Sequence, residues 1–218
     1  MTAFIFDWDG VVVNSSELHK FSWKALADEL DFSLPEDHFQ RGFGKRNETI
    51  IPDILRWTKD KTLIDKWGRR KEEIYREMAK SSGIHLQIGV TRFLQEAEKC
   101  KIPCAVGTST EKKNVLLAME QHGIKDFFQF IVSSEDVTAG KPNPEVFLKA
   151  SSKLGHKPKS CMVFEDSPHG IDAAKRGGMK SVALTTSHPM KIFQPLQPDI
   201  IATNFEELRM DKLLAIFQ

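Results

Sequence analysis

Cysteine is scarce in this chain, with three among 218 residues, and tyrosine occurs once. A disulfide scaffold is excluded at that density. A zinc site would need a second ligand pair at matching spacing, and Cys100, Cys104 and Cys161 do not provide one. The three read as small buried thiols. Long apolar runs are also missing, since none approaches the roughly 20 residues needed to cross a bilayer. No sign of charge dominates: 31 Lys and Arg face 30 Asp and Glu, for a formal charge of +1. A near-neutral chain has no electrostatic reason to seek nucleic acid or another polyanion. The basic stretch 59–80 holds eight Lys or Arg but five acids among them, which reads as a solvated helix face. The opening residues Met1-Thr2-Ala3-Phe4-Ile5-Phe6-Asp7 carry no basic leader, so the expectation is a cytoplasmic protein, free of membrane and monomeric.

What is present is a chain able to build a core, with 40% hydrophobic and 28% charged residues. Short apolar runs at 2–6, 102–106, 130–132, 161–164, 181–184 and 199–202 read as buried strands. Segments of helical spacing lie between them, for example Phe93, Leu94 and Ala97, or Val146, Phe147 and Ala150. Strands alternating with helices imply an α/β fold, a doubly wound, Rossmann-like parallel sheet covered on both faces. Residues 16–82 break the alternation. Helices are expected at 17–30, 49–57 and 61–80 with no strand among them, so this stretch is an all-α cap inserted into a core made of 1–15 and 83–218.

In such a sheet the site lies beyond the carboxyl ends of the strands, so the polar residues there matter most. Asp7 and Asp9 follow the first strand, ahead of Gly10. In strand register they would point to one side and repel, which leaves either a simple turn cap or a site for a cation. Glu165 and Asp166 end another strand and lead into Ser167-Pro168, a helix start with proline at its first position. Three or four carboxylates at one sheet edge suit Mg²⁺, a hard ion with oxygen ligands. Gly107-Thr108-Ser109-Thr110 places hydroxyls and N–H groups ahead of a helix, an anion cradle. Lys141 sits in the stiff loop Gly140-Lys141-Pro142-Asn143-Pro144.

The motifs Asp7-Trp8-Asp9-Gly10-Val11, Gly107-Thr108-Ser109, Gly140-Lys141-Pro142-Asn143-Pro144 and Phe164-Glu165-Asp166-Ser167 occur in the order and spacing of one family. Over essentially its whole length the chain resembles the haloacid-dehalogenase-like hydrolases, in the branch of β-phosphoglucomutase and small sugar-phosphate phosphatases. The resemblance implies that Asp7 attacks phosphorus to form an aspartyl-phosphate. Asp9 would protonate the leaving oxygen and deprotonate water, with its pKa held above that of Asp7. It implies that Asp7, Asp166 and the Asp9 carbonyl hold Mg²⁺, with Glu165 in support or in the outer shell. Thr108 and Lys141, aided by Ser109, would bind the phosphoryl oxygens. An acid at position 9 disfavours C–halogen and C–P cleavage and favours a phosphate ester.

The cap carries specificity. His19 and Lys71 match residues that respond to substrate in β-phosphoglucomutase-like proteins. Arg41-Gly42-Phe43-Gly44-Lys45-Arg46-Asn47 matches the cap's specificity loop, where Lys45 or Arg46 would meet a distal anionic group. It is not a nucleotide-binding loop, because Arg46 stands where Ser or Thr is required and no strand precedes it. The expected activity is Mg²⁺-dependent hydrolysis of a small phosphorylated metabolite, a sugar phosphate. The rival is a phosphohexomutase with the same nucleophile, for which Lys45 is a weaker clamp than Arg. A silent binding module fits less well, since every core residue is present.

Overall fold

A computed structural model describes residues 2–218. Its strands are β1 (Ala3–Phe6), β2 (Val13–Asn14), β3 (His85–Leu86), β4 (Cys104–Gly107), β5 (Phe130–Val132), β6 (Cys161–Glu165), β7 (Lys180–Leu184) and β8 (Ile200–Ala202). Six of them form one parallel sheet in the order β5-β4-β1-β6-β7-β8. These are the six apolar runs expected from the sequence. The order steps outward in both directions from β1, which is the doubly wound pattern.

Side chains alternate across the sheet. Phe4 and Phe6 enter one buried layer, and Ala3 and Ile5 enter the other. In the first layer Phe6 stacks on Phe164 with centroids 4.6 Å apart, and Phe4 meets Phe164 edge-on at 5.1 Å. Burying each such ring contributes about 1.5–3 kcal/mol. Register then sets the site. Phe6 lies level with Val106 and with Phe164, so the residues that follow them, Asp7, Gly107 and Glu165, emerge at one edge.

Between β2 and β3 lie helices Ser16–Glu29, His38–Gly42, Asn47–Thr49 and Lys61–Ser82, with a π-helical segment at Ile50–Leu55. The expected second helix is therefore mostly a widened turn. Pro52 within it has no N–H for an i−4 bond, and the segment stops at Arg56 in the left-handed region with φ of 57°. Asp60 caps the last helix, accepting from the Thr62 and Leu63 amides at 2.8 and 3.1 Å. Trp23, Leu26, Ile51, Ile54, Ile64 and Ile74 give this region a core of its own.

β2 and β3 pair antiparallel where the chain leaves the sheet domain and returns. Their two-residue length carries no periodicity, so the sequence did not reveal them. The thiols also need a correction. Cys104 and Cys161 are buried, which pushes them up to about 12 and about 11, but Cys100 is exposed at the end of helix Val90–Lys99. Among the described residues no helix is long and apolar enough to cross a membrane.

Candidate active site

Asp7 leaves β1 with its N–H donating to the Phe164 carbonyl at 3.0 Å. Lys141 Nζ reaches it from the proline-bracketed loop, 2.9 Å from Asp7 Oδ1 and 2.7 Å from Glu165 Oε1. Only the Glu165 contact is aligned as a hydrogen bond, so Asp7 Oδ1 is in ion-pair range yet lacks a hydrogen-bond donor. The other Glu165 oxygen accepts from the Asp166 amide at 2.8 Å, the Ser167 amide at 2.7 Å and the Ser167 hydroxyl at 2.9 Å. Both Glu165 oxygens are thus engaged in holding Lys141 and the turn after β6. A Cβ on Gly170 would fall 1.8 Å from the Glu165 carboxyl carbon, so only glycine lets the next helix approach this closely. That helix, Pro168–Arg176, begins at Ser167 as its spacing predicts, with Ser167 Oγ accepting from the Gly170 amide.

Asp166 accepts from Ser187 through Oδ2, and its Oδ1 is buried with no partner. Gly10 adopts φ of +77°, and a Cβ there would meet Asp166 Oδ2 at 1.8 Å. Ligand oxygens of Asp7, Glu165 and Asp166 lie within 4.8 Å of one another. Three carboxylates face one ammonium in a buried space. Burial pushes Asp7 up to about 7, with Glu165 and Asp9 adding to the rise and Lys141 opposing it. Burial, then Glu165 and Asp7, hold Asp166 well above the usual carboxylate range. Glu165 is pulled below its ordinary value by Lys141 and the Ser167 donors, against its burial. Two crowded acids with bare oxygens are the donor set a divalent hard cation relieves, and Mg²⁺ fits it.

Asp9 differs from expectation. β1 ends at Phe6 and the chain turns tightly through Trp8–Val13, so the i, i+2 rule does not reach Asp9. Its carboxylate turns from the Asp166 cluster and accepts from Ser15 Oγ at 2.5 Å, His19 Nε2 at 3.0 Å and Thr110 Oγ1. Burial would raise its pKa, but His19 and these hydroxyls hold it well below the usual range. The expected order, Asp9 above Asp7, is reversed in this arrangement. Three donors on one carboxylate favour its charged form, and burial among acids favours the neutral form of Asp7.

Asp7 and Asp9 open onto a cavity of about 350 Å³ between the sheet edge and the cap helices. Thr108 and Ser109 line it from the core. The Thr108 amide is taken by the Val132 carbonyl at 2.9 Å, and its hydroxyl accepts from the Thr110 amide at 3.2 Å. Lys141 is 1% exposed, so it supports Asp7 from behind the wall. From the cap come His19, Lys45, Arg46 and Lys71. Lys71 Nζ lies 2.8 Å from His19 Nδ1 and 2.7 Å from Glu72 Oε1. Arg46 gives Nη2 to Glu48 at 3.0 Å and Nη1 to the Val137 and Thr138 carbonyls at 3.4 Å, leaving its buried Nε–H without a partner. Lys45 has no ion pair among the described residues. Ser15, Thr110, Glu72 and Asn114 join this network without having been named from the sequence as site residues. The hydroxyl-rich run 108–110 was a signal for Thr110, and the place of Ser15 four residues before His19 was one for Ser15; Glu72 and Asn114 had none.

A family model described as haloacid dehalogenase-like hydrolase matches residues 4–184. The chain is 35% identical over 207 residues to the chloroplastic 5-amino-6-(5-phospho-D-ribitylamino)uracil phosphatase of Arabidopsis thaliana. That match covers 94% of this chain and 54% of the plant protein, so the chain spans about half of that relative's length. It is 28% identical to the β-phosphoglucomutase of Bacillus subtilis, covering 98% of this chain and 94% of that one. Among solved structures, a HAD hydrolase of family IA, variant 3, from Entamoeba histolytica superposes with a TM-score of 0.90 at 28% identity, covering 100% of this chain and 99% of that one. The strand-end carboxylates, the helical insert and these matches agree: the chain belongs to the haloacid dehalogenase-like hydrolases.

Proposed function

We propose that this chain is a phosphoric monoester hydrolase acting on a small phosphorylated metabolite, a sugar or polyol phosphate, with Asp7 as nucleophile. The observation that carries the reading is geometric: Asp7 and Asp9, two positions apart, open onto one cavity that Thr108 and Ser109 also line. Asp7 is ion-paired with Lys141 at 2.9 Å, while Asp9 accepts from Ser15, His19 and Thr110. Relatives named as a phosphatase and a phosphoglucomutase support the substrate class.

In the first half-reaction an Asp7 oxygen bonds to phosphorus as the ester P–O bond breaks, and the departing oxygen takes a proton from the Asp9 carboxyl. For Asp9 to be protonated at that moment, at least one of its three donors must turn away. In the second half, Asp9 as carboxylate takes a proton from water, the water oxygen bonds to phosphorus, and the Asp7–phosphorus bond breaks. The products are alcohol and phosphate. Thr108 and Ser109 orient the phosphoryl oxygens, and Lys141, braced by Glu165, keeps Asp7 in place. Asp7, Asp166 and the Asp9 carbonyl would hold Mg²⁺, which when bound neutralises the carboxylates and the charge on the phosphoryl group. Cap helices exclude bulk water from the cavity. The proposal includes a cytoplasmic monomer.

A second reading, phosphoryl return to a sugar hydroxyl, has specific support in the two cap cations on the same cavity, Lys45 without an ion pair among the described residues and Arg46 beside it. These are donors a second phosphate could use. The deciding assay gives the protein Mg²⁺ and a panel of sugar phosphates, including β-glucose 1-phosphate with a bisphosphate primer. Phosphate release that disappears in Asp7→Asn supports the hydrolase. Isomerisation with little release replaces it with the mutase, and neither product rejects both.

A further inference from the structure

Glu72 is a buried acid, 5% exposed, on a cap helix, and neither half-reaction uses it. Its Oε1 accepts from Lys71 Nζ at 2.7 Å and from Asn47 Nδ2 at 2.8 Å, both within the cap. Its Oε2 accepts from Asn114 Nδ2 at 2.6 Å, and Asn114 lies on the core helix Lys112–His122, fully buried. The orientation of Asn114 is fixed, because Arg76 Nη1 donates to its Oδ1 at 2.8 Å and also to Glu111 at 2.9 Å. A flipped amide would set N–H groups against the guanidinium and an oxygen against the carboxylate. On the other side, Lys71 has only donors, so His19 Nδ1 must accept from it and His19 Nε2 carries the hydrogen given to Asp9. A continuous set of hydrogen bonds therefore links the core helix through the cap to Asp9: Asn114 and Lys71 both donate to Glu72, Lys71 also donates to His19, and His19 donates to Asp9.

We propose that Glu72 and Asn114 form a latch through which seating of the cap on the core positions Lys71 and His19 against Asp9. The Glu72–Asn114 bond exists only when helix Lys61–Ser82 lies against helix Lys112–His122. When they part, Glu72 keeps its cap partners but loses its anchor, and the placement of Lys71 and His19 on Asp9 loosens with it. A misplaced acid–base group costs rate more than substrate affinity. Glu72 and Asn114 are positioning residues, since neither lines up with the reacting atoms. The proposal rests on the hydrolase reading for its kinetic part and on geometry alone for the latch.

The test exchanges the two partners. Asn114→Ala removes the donor, and Glu72→Gln faces it with an amide. The pair Glu72→Gln with Asn114→Asp restores a bond of opposite polarity, in which the introduced cap amide donates to the introduced core carboxylate while Arg76 keeps its acceptor. Cap seating is read by distances between spin labels on exposed Cys100 of the core and on Phe21→Cys of the cap, with Mg²⁺ and inorganic phosphate present. Asn114→Ala is expected to add a longer-distance population that the exchanged pair removes; identical distributions in parent and Asn114→Ala overturn the latch. With para-nitrophenyl phosphate, Asn114→Ala is expected to lose about ten- to a hundredfold in kcat, with KM changed less than about twofold, and the exchanged pair to recover part of it. Loss confined to KM, an unchanged kcat despite longer distances, or no recovery in the pair overturns the transmission to Asp9. A parent without turnover rejects the hydrolase reading, and the distances still decide the latch.

Discussion

The floor of the cavity and its cap-side wall hold charge in opposite ways. At the floor Asp7 lines the cavity, and behind it Glu165 and Asp166 crowd around Lys141 in full burial, with Asp166 Oδ1 lacking any donor. On the wall, Lys45, Arg46 and Lys71 stand among Glu48, Asp65 and Glu72, and most cations are already paired. The floor is electrostatically unsatisfied and built from strand ends, the most rigid elements available. The wall is close to balanced and built from the long helix Lys61–Ser82, which carries Asp65, Lys71 and Glu72, and from the turn that carries Lys45 and Arg46. Chemistry that must neutralise a phosphoryl group needs the first arrangement; discrimination among organic groups needs only the second.

The contrast breaks most sharply at Asp7. Asp7→Asn should reduce turnover by at least about a thousandfold, with the circular dichroism spectrum unchanged. Next is the brace: Glu165→Gln removes one of the two carboxylates that face Lys141, leaving only Asp7, and should lower the unfolding free energy by about 3 kcal/mol, seen in urea titration, along with loss of activity. A stability change under about 0.5 kcal/mol would place Glu165 outside the load on the floor.

The third prediction concerns pH. The Asp7 carboxyl is raised from 3.8 to about 7, so folding is favoured by this group below pH 4, and that contribution is lost as pH rises toward 7. Asp166 acts in the same direction. Mg²⁺ should therefore raise the thermal midpoint more at pH 8, where both acids must be charged, than at pH 5. At a hundredfold excess over its Kd the gain at pH 8 is about 2.7 kcal/mol. Equal shifts at the two pH values would show that the ion binds elsewhere. The smallest effect belongs to the wall: Arg46→Ala should raise KM severalfold for a sugar phosphate while changing kcat less than about threefold. A much larger kcat loss would move Arg46 from specificity to chemistry.

The floor was legible in the residues themselves, whereas on the wall only the residues that the family resemblance pointed to, His19, Lys45, Arg46 and Lys71, were legible, for a physical reason. Asp7, Thr108 and Glu165 each follow a continuous apolar run, and parallel register brings the ends of such runs together whatever lies between them. The rest depends on distances the chain does not encode locally. Thr110 meets Asp9 from 101 positions away, and Asn114 meets Glu72 from 42. Glu72 looked like one more acid in a charged stretch. The proton preferences of Asp7 and Asp9 were not legible either, because they depend on the burial of Asp7 and on Ser15, His19 and Thr110 meeting at Asp9.

The two-residue ladder between β2 and β3 has a consequence for how such a chain can change. Val13 lies opposite Leu86 and Asn14 opposite His85, so the chain departs and comes back about 5 Å apart, one strand spacing. Everything between them is a closed excursion whose two ends already touch. A graft of different length or architecture could be spliced at this seam without moving β1 relative to β4 or β6, and the excursion could be replaced by a short turn without leaving the sheet open. The reactive edge and the fitting surface above it can therefore diverge separately, one by substitution and the other by exchange.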